Sequence, residues 1–340
     1  IQGGLAAVNV LASMFFAGIS GSAVADTSSI GAILIPMMNA EGYERDFTVA
    51  VTVTSSTIGL IIPPSNPMIL YSFVAGGVSI AQLFAAGFIP GVLVGIGLMI
   101  VGFIISVRKG YPRHPRPSLK EIIRTLRDGG LSLVIVVVIV GGILGGVFTA
   151  TEAAVFGVVY ALFLTIFIYK DLKPKDLPEV MLKTILTTAI VIFLIATSTA
   201  FSYVMAVERV PQAITDFLLS ITQNKYLLLL IINIMLLIVG MFMDMSPAIL
   251  IFTPILLPIA LKLGMDPVHF GIMILVNLCI GLVTPPVGAV LFVGLSLGQT
   301  SMDKIIKPLL LFIFPMLMVL LLVTYIEPIT MTFPRLLFSR

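Results

Sequence analysis

Oxygen-bearing side chains gather at a few points of an otherwise apolar chain. Ser20, Ser22, Asp26, Thr27, Ser28 and Ser29 fall in one ten-residue window. Thr54, Ser55, Ser56 and Thr57 precede the pair Pro63-Pro64, and Ser65 and Asn66 follow it. A leaner second group comprises Asp244, Ser246, Asn277, Gly281 and Thr284, beside Pro285-Pro286. Na⁺ is a hard cation that takes oxygen ligands, including carbonyls freed where a helix unwinds. The plainer reading of Ser and Thr in apolar helices is hydrogen bonding between helices, worth only about 0.6 kcal/mol on average. Clustering beside a helix break favours ion binding. A carboxylate in mid-membrane costs ~2.5–3.5 kcal/mol on insertion scales, so Asp26 and Asp244 each need a partner or water.

Other chemistries lack their residues. Cys279 is the single cysteine, which excludes an intramolecular disulfide and a cysteine metal cluster. His114 and His269 fall in different expected loops, and neither HExxH nor a Walker glycine loop occurs. A zinc hydrolase and an ATP-driven pump are therefore not indicated. An intramembrane aspartyl protease would have to pair Asp26 with Asp244, and neither sits in a GxGD motif. A passive channel is a further alternative, marked by a conductance insensitive to substrate.

The elements that must position these groups lie in lipid. Hydrophobic residues make up 59% of the 340, charged residues only 10% against about 25% in soluble domains, and mean hydropathy is +1.18. No charge occurs from residue 47 to 107, and 129–151, 184–207 and 308–326 are also charge-free. Each meets or nears the ~20 apolar residues that cross a bilayer. Without period-2 alternation they read as helices rather than barrel strands. The chain is expected to be an all-α polytopic membrane protein. It opens on Ile1 without a basic n-region, which reads as a chain whose first spans are missing.

Gly and Pro recur at an offset of 222. Gly18, Pro36, Gly42, Gly59, Pro63, Pro64 and Gly76 map without gaps onto Gly240, Pro258, Gly264, Gly281, Pro285, Pro286 and Gly298. These residues constrain the backbone, so a duplicated unit is expected. Each copy holds an apolar stretch with a polar dimple, a short turn, a stretch broken by Pro-Pro, and a closing span. Tandem prolines leave carbonyls unpaired, and in lipid such a break must line protein or a wet cavity. A packing kink is the rival, weakened because both breaks share one frame. The dimpled stretches read as re-entrant hairpins; two full spans each would put the dimple at a membrane surface.

Arg108, Lys109, Arg113, Arg116, Lys120, Arg124 and Arg127 against Glu121 and Asp128 mark a short cytoplasmic loop between two spans. Its lipid flanks and lack of aromatic interleaving argue against nucleic acid. Counting spans from there opens the first hairpin inward and the second outward. The copies are then inverted, an architecture of secondary transporters. Arg335 and Arg340 fall outside on this count, mildly against the charge rule. Half-helix N-termini at the tips favour an anion. Cation sites beside helix ends suited to a carboxylate imply cation-coupled import of an organic anion.

Four motifs carry a resemblance: GISGSAVADTSSIGAILIPMM (18–38), TSSTIGLIIPPSNPMILY (54–71), GMFMDMSPAILIFTPILLPIA (240–260) and GLVTPPVGAVLF (281–292). Together they resemble the large membrane subunit of TRAP (tripartite ATP-independent periplasmic) transporters, of DctM or SiaM type. The resemblance implies a Na⁺-driven, ATP-independent elevator in the bacterial inner membrane. Its partners would be a small four-helix membrane subunit and a periplasmic substrate-binding protein. The cargo would be a carboxylate such as a C4-dicarboxylate, a sialic acid or another sugar acid. It implies one Na⁺ site at Gly240, Gly281, Thr284 and Val287, and a second at Gly18, Gly59, Ile62 and Ser65, largely through carbonyls. The substrate would lie near Ser20, Ser22, Asp244 and Ser246. Transport parts would be 1–79 and 225–301, with scaffold 80–224 and 302–340. The close alternative is a Na⁺/carboxylate symporter of the same superfamily that needs no binding protein.

Overall fold

The computed structural model describes residues 2–113 and 119–338; the side chains at 17–20, 119–129 and 218–219 fall outside that description. Fifteen α-helices and no strand occur among the described residues. They are α1 (Gly4–Ser20), α2 (Ala23–Ala40), α3 (Arg45–Ser56), α4 (Asn66–Val74), α5 (Ile80–Lys109), α6 (Leu119–Leu144), α7 (Ala150–Phe163), α8 (Leu177–Val207), α9 (Val210–Ile221), α10 (Lys225–Phe242), α11 (Met245–Lys262), α12 (Pro267–Gly281), α13 (Ala289–Gly298), α14 (Met302–Tyr325) and α15 (Pro328–Phe338). Among the described residues six segments are long and apolar enough to cross a membrane: Ile80–Lys109, Ala150–Ile168, Pro174–Val207, Lys225–Phe242, Met245–Lys262 and Met302–Tyr325. The protein is a multi-pass membrane protein.

Helix ends follow local chemistry. Ser79 caps α5 by accepting from Gln82 N (3.3 Å), and left-handed Gly110 closes it after Arg108 and Lys109, whose charges suit a C-terminus. Asp266 caps α12 by accepting from Val268 N (2.7 Å), with Pro267 at the first helical position. The basic segment differs from expectation: it is not all loop. Helix α6 begins at Leu119, so Lys120, Arg124 and Arg127 lie on its first turns, and residues 114–118 lie outside the described residues. Charge marks where the membrane surface falls, not where the helix starts.

The chain divides into two compact units, residues 1–116 with 211–340, and residues 117–210. In the first, α3 from Phe47 to Ser56 and α12 from Val268 to Gly281 are buried throughout. The hydroxyls of α3 are satisfied within the helix: Thr48 donates to Glu44 O (3.0 Å), Thr52 to Thr48 O (2.8 Å), Thr54 to Ala50 O (2.7 Å) and Ser56 to Thr52 O (2.8 Å). Around this core, α2 packs on α13 and α4 on α11; likewise α3 packs on α14 and α12 on α5. Element bounds recur at the offset of 222: α2 maps onto α11 at both ends, and the first residue of α5 onto that of α14. The turns after α2 and α11 each hold a glycine of positive φ, Gly42 (+87°) and Gly264 (+75°).

In the second unit, α6 packs on α7. Gly142 makes room for the Phe148 ring, Gly157 for Ile139, and Tyr160 OH donates to Leu131 O (3.0 Å). The Thr149–Glu152 capping box opens α7: Glu152 N donates to Thr149 Oγ1 (3.3 Å) and Thr149 N to Glu152 Oε2 (2.8 Å). No residue of α8 is buried, which lipid tolerates because a helix satisfies its own backbone.

Candidate functional site: two helix breaks and the hairpin ends that meet them

Each double proline strips donors from two carbonyls. An α-helical carbonyl accepts from the residue four positions on, and proline has no N–H. Pro63 and Pro64 therefore deprive Gly59 and Leu60, as Pro285 and Pro286 deprive Gly281 and Leu282. The helices break there. After α3 comes a 3₁₀ turn, Ile58–Leu60, and α4 starts only at Asn66; α12 stops at Gly281, and α13 starts at Ala289.

The freed groups are partly re-satisfied. Ser65, buried, donates its hydroxyl to Leu60 O (2.6 Å). Thr284 N donates to Gly281 O (3.0 Å), Val290 N to Leu282 O (3.3 Å), and Thr284 Oγ1 to Ile280 O (2.6 Å). The N–H of Ile62 goes to Ile58 O (2.9 Å) rather than to Gly59. The Gly59 carbonyl thus keeps no local backbone donor, the state a cation ligand needs.

A hairpin end abuts each break. The first dimple is narrower than the sequence suggested. Helix α1 runs through Gly18 to Ser20, and the chain turns over Gly21 and Ser22 alone. Gly21 is left-handed (φ +63°), and a Cβ there would strike the Asn66 side chain, the first residue beyond the first break. Ser22 caps α2, accepting from Ala25 N (3.3 Å). Helix α1 also packs on the 3₁₀ turn that holds Gly59.

At the second end, α10 stops at Phe242 and Asp244 is the N-cap residue of α11, without a side-chain capping bond and exposed. Gly240 and Gly281 touch backbone to backbone: a Cβ on Gly281 would lie 2.5 Å from Gly240 Cα. Gly288 N donates across to Met241 O (3.2 Å). Gly240 and Gly281 are buried, Thr284, Ser246 and Ile62 half-buried, and the Val287 side chain exposed, so Val287 would offer its carbonyl. The structure thus brings Gly240, Gly281 and the 284–288 loop together. The Ser20 side chain, one of the substrate candidates, lies outside the described residues.

Sequence reasoning missed a buried amide in each half. Asn9 Nδ2 donates to Thr52 Oγ1 (2.8 Å), and Ser55 Oγ lies 3.3 Å from Asn9 Oδ1. Asn233 Nδ2 donates to Thr324 Oγ1 (3.0 Å), and Asn277 Nδ2 reaches Asn233 Oδ1 (2.8 Å). Ser55 and Asn277 correspond at the 222 offset, and each joins an asparagine of a first hairpin helix. A lone Asn in an apolar helix was the available signal. Among the described residues no group of three His, Cys, Asp or Glu could hold a metal, so any cation here would rest on carbonyls and hydroxyls.

Comparison with known proteins gives the family. Residues 1–329 match the model of the tripartite ATP-independent periplasmic transporter, DctM component. The chain is 40% identical to the C4-dicarboxylate TRAP transporter large permease protein DctM of Pseudomonas aeruginosa, over 98% of this chain and 78% of that protein. It is 39% identical to the sialic acid TRAP transporter large permease protein SiaM of Vibrio cholerae, over 99% and 78%. It is 36% identical to the 2,3-diketo-L-gulonate TRAP transporter large permease protein YiaN of Escherichia coli, over 95% and 76%. With the family model matching residues 1–329 and relatives of about 40% identity covered over three quarters of their length, the chain belongs to the DctM family of TRAP transporter large permeases.

Proposed function

We propose that this chain is the transport subunit of a Na⁺-coupled importer of an organic acid in a bacterial inner membrane. The acid is a C4-dicarboxylate, a sialic acid or another sugar acid. A periplasmic binding protein delivers it, and a small four-helix membrane subunit stands beside the chain. ATP is not used. Each Na⁺ moving inward releases about 2.3 kcal/mol per 100 mV of membrane potential.

One observation carries the reading: a hairpin end is seated against each donor-stripped break, Gly21 on Asn66 and Gly240 on Gly281. A break occurs partway along a segment of membrane-crossing length, so an end that meets it stops at mid-depth. That favours re-entrant hairpins over full spans for α1–α2 and α10–α11. The recurring element bounds and the reciprocal packing of α2 on α13 and α4 on α11 are what a two-fold related, inverted pair would give. Gly18, Gly59, Ile62 and Ser65 then line one Na⁺ site, and Gly240, Gly281, Thr284 and Val287 the other. The acid lies near Ser22, Asp244 and Ser246, at the N-termini of α2 and α11, with Ser20 as the fourth candidate. Residues 1–79 and 225–301 move as an elevator against a scaffold of 80–224 and 302–340.

The test is uptake into proteoliposomes holding the chain, its small subunit and its binding protein, with succinate, sialic acid and 2,3-diketogulonate as probes. An inward Na⁺ gradient should drive accumulation of one of them, and an equal K⁺ gradient should not. Accumulation indifferent to Na⁺ overturns the coupling; equal uptake without the binding protein transfers the chain to the single-component symporters.

A further inference from the structure

Asp26 is used by nothing so far described. It lies on the first turn of α2 with no exposed surface, and neither carboxylate oxygen has a hydrogen-bond partner. Two polar side chains act on it, the hydroxyls of Ser13 on α1 and Ser56 at the end of α3, and neither completes a hydrogen bond to it.

The reason lies in where their hydrogens go. Ser56 donates to Thr52 O (2.8 Å). Ser13 Oγ lies 3.1 Å from Ser55 Oγ, which has acceptors of its own in Asn9 Oδ1 (3.3 Å) and Thr52 O (3.1 Å). Both hydroxyls are thus engaged elsewhere, and neither completes a bond to Asp26 in place of the water it has lost. A carboxylate out of water with no completed hydrogen bond is strongly disfavoured; such a group neutralises instead. No charge stands by to do it. Helices α1 and α13 and the 3₁₀ turn, all packed on α2, contain no ionisable side chain. Helix α3 has Arg45 and Asp46 at its opposite end, about 15 Å from Ser56 at 1.5 Å per residue, and Asp46 accepts from Thr300.

The fold does not require this group. At the 222 offset Asp26 becomes Ala248, Ser13 becomes Met235 and Ser56 becomes Leu278. The matching helices α2 and α11 nonetheless have the same length, 18 residues each. All three polar members are absent together from the second copy, as for a binding site added to one copy.

We propose that Asp26 is a proton-binding site, its carboxylic acid donating to the Ser13 or Ser56 oxygen, so that the first hairpin carries one exchangeable proton. The site suits a proton better than a metal ion, because the carbonyls of the surrounding helical turns are engaged within their helices and few oxygens are left to surround a cation. This site is separate from the two Na⁺ sites, though comparing the copies rests on the repeat proposed above.

Infrared difference spectroscopy of the purified full chain in its native complex tests this without any transport. At neutral pH the wild type should show a carboxylic acid carbonyl band that bleaches as pH is raised, and Asp26→Asn should lose it. An identical band in Asp26→Asn, or a wild-type band abolished by NaCl at constant pH, overturns the proposal. If Asp26→Asn does not fold, Ser13→Ala/Ser56→Ala keeps the question open to decision: the band should shift upward as its acceptors vanish, and an unmoved band overturns the assignment. Failure of Na⁺-driven uptake would defeat the proposed function and leave this band untouched.

Discussion

At the scale of single residues, carbonyl and hydroxyl oxygens matter more than charges. Thr284 places its hydroxyl at the second break and spends its hydrogen on Ile280 O, so its lone pairs are left for a cation. Thr284→Ala should raise the Na⁺ concentration for half-maximal uptake about ten-fold, the equivalent of ~1.4 kcal/mol, with the protein still inserted; an unchanged Na⁺ curve removes Thr284 from the site. Asn277 is a different case. Its amide joins Asn233 in a buried pair, and removing one partner of such a pair costs about 1–3 kcal/mol. Asn277→Ala should therefore lower the melting temperature in detergent, while Asn233→Ala/Asn277→Ala together should cost less than the two single changes added. The prolines and glycines of the site were legible in the sequence because their effect is local: a missing N–H acts four residues away whatever surrounds it. The Asn9 and Asn233 pairings were not, because an asparagine in an apolar helix shows a need for a partner and not which helix supplies it.

Among the elements, the contact between α10 and α12 is closest where two glycines meet. Gly281→Val would put a side chain where Gly240 backbone lies. It should abolish Na⁺-driven uptake while leaving membrane insertion intact, checked by uptake alongside surface labelling; wild-type transport in that variant would show that the close approach is dispensable. Helix α7 depends on a local device. Thr149→Ala removes the hydroxyl half of its capping box while the residue-149 N–H can still reach Glu152, and should cost about 0.5–2 kcal/mol, read as faster amide exchange over residues 150–153. The T-x-x-E pattern of that box stands in the sequence at 149–152. The start of α6 was hidden: its first turns carry lysine and arginine, which look like loop when hydropathy alone is followed.

For the whole molecule, topology decides whether the halves are inverted. Ala40 and Lys262 end α2 and α11, correspond at the 222 offset, and are both exposed. In a background with Cys279→Ser, whose native thiol is buried, Ala40→Cys should react with an impermeant maleimide from the cytoplasmic side and Lys262→Cys from the periplasmic side. Labelling of both from one side would end the inverted reading. The sequence carried the membrane class and the positions of the breaks through composition and Pro-Gly spacing. It could not carry which helix lies on which, since α12 differs from lipid-facing helices such as α8 by burial and hardly by hydropathy.

The crossed packing, α2 resting on α13 and α4 on α11, makes the two modules hostages of each other. Neither kinked segment can loosen or tighten without shifting an arm that belongs to its counterpart. On the proposed reading of one sodium ion at each break, filling one pocket would reshape the other, and the dependence of uptake on sodium should rise more steeply than a simple saturation curve.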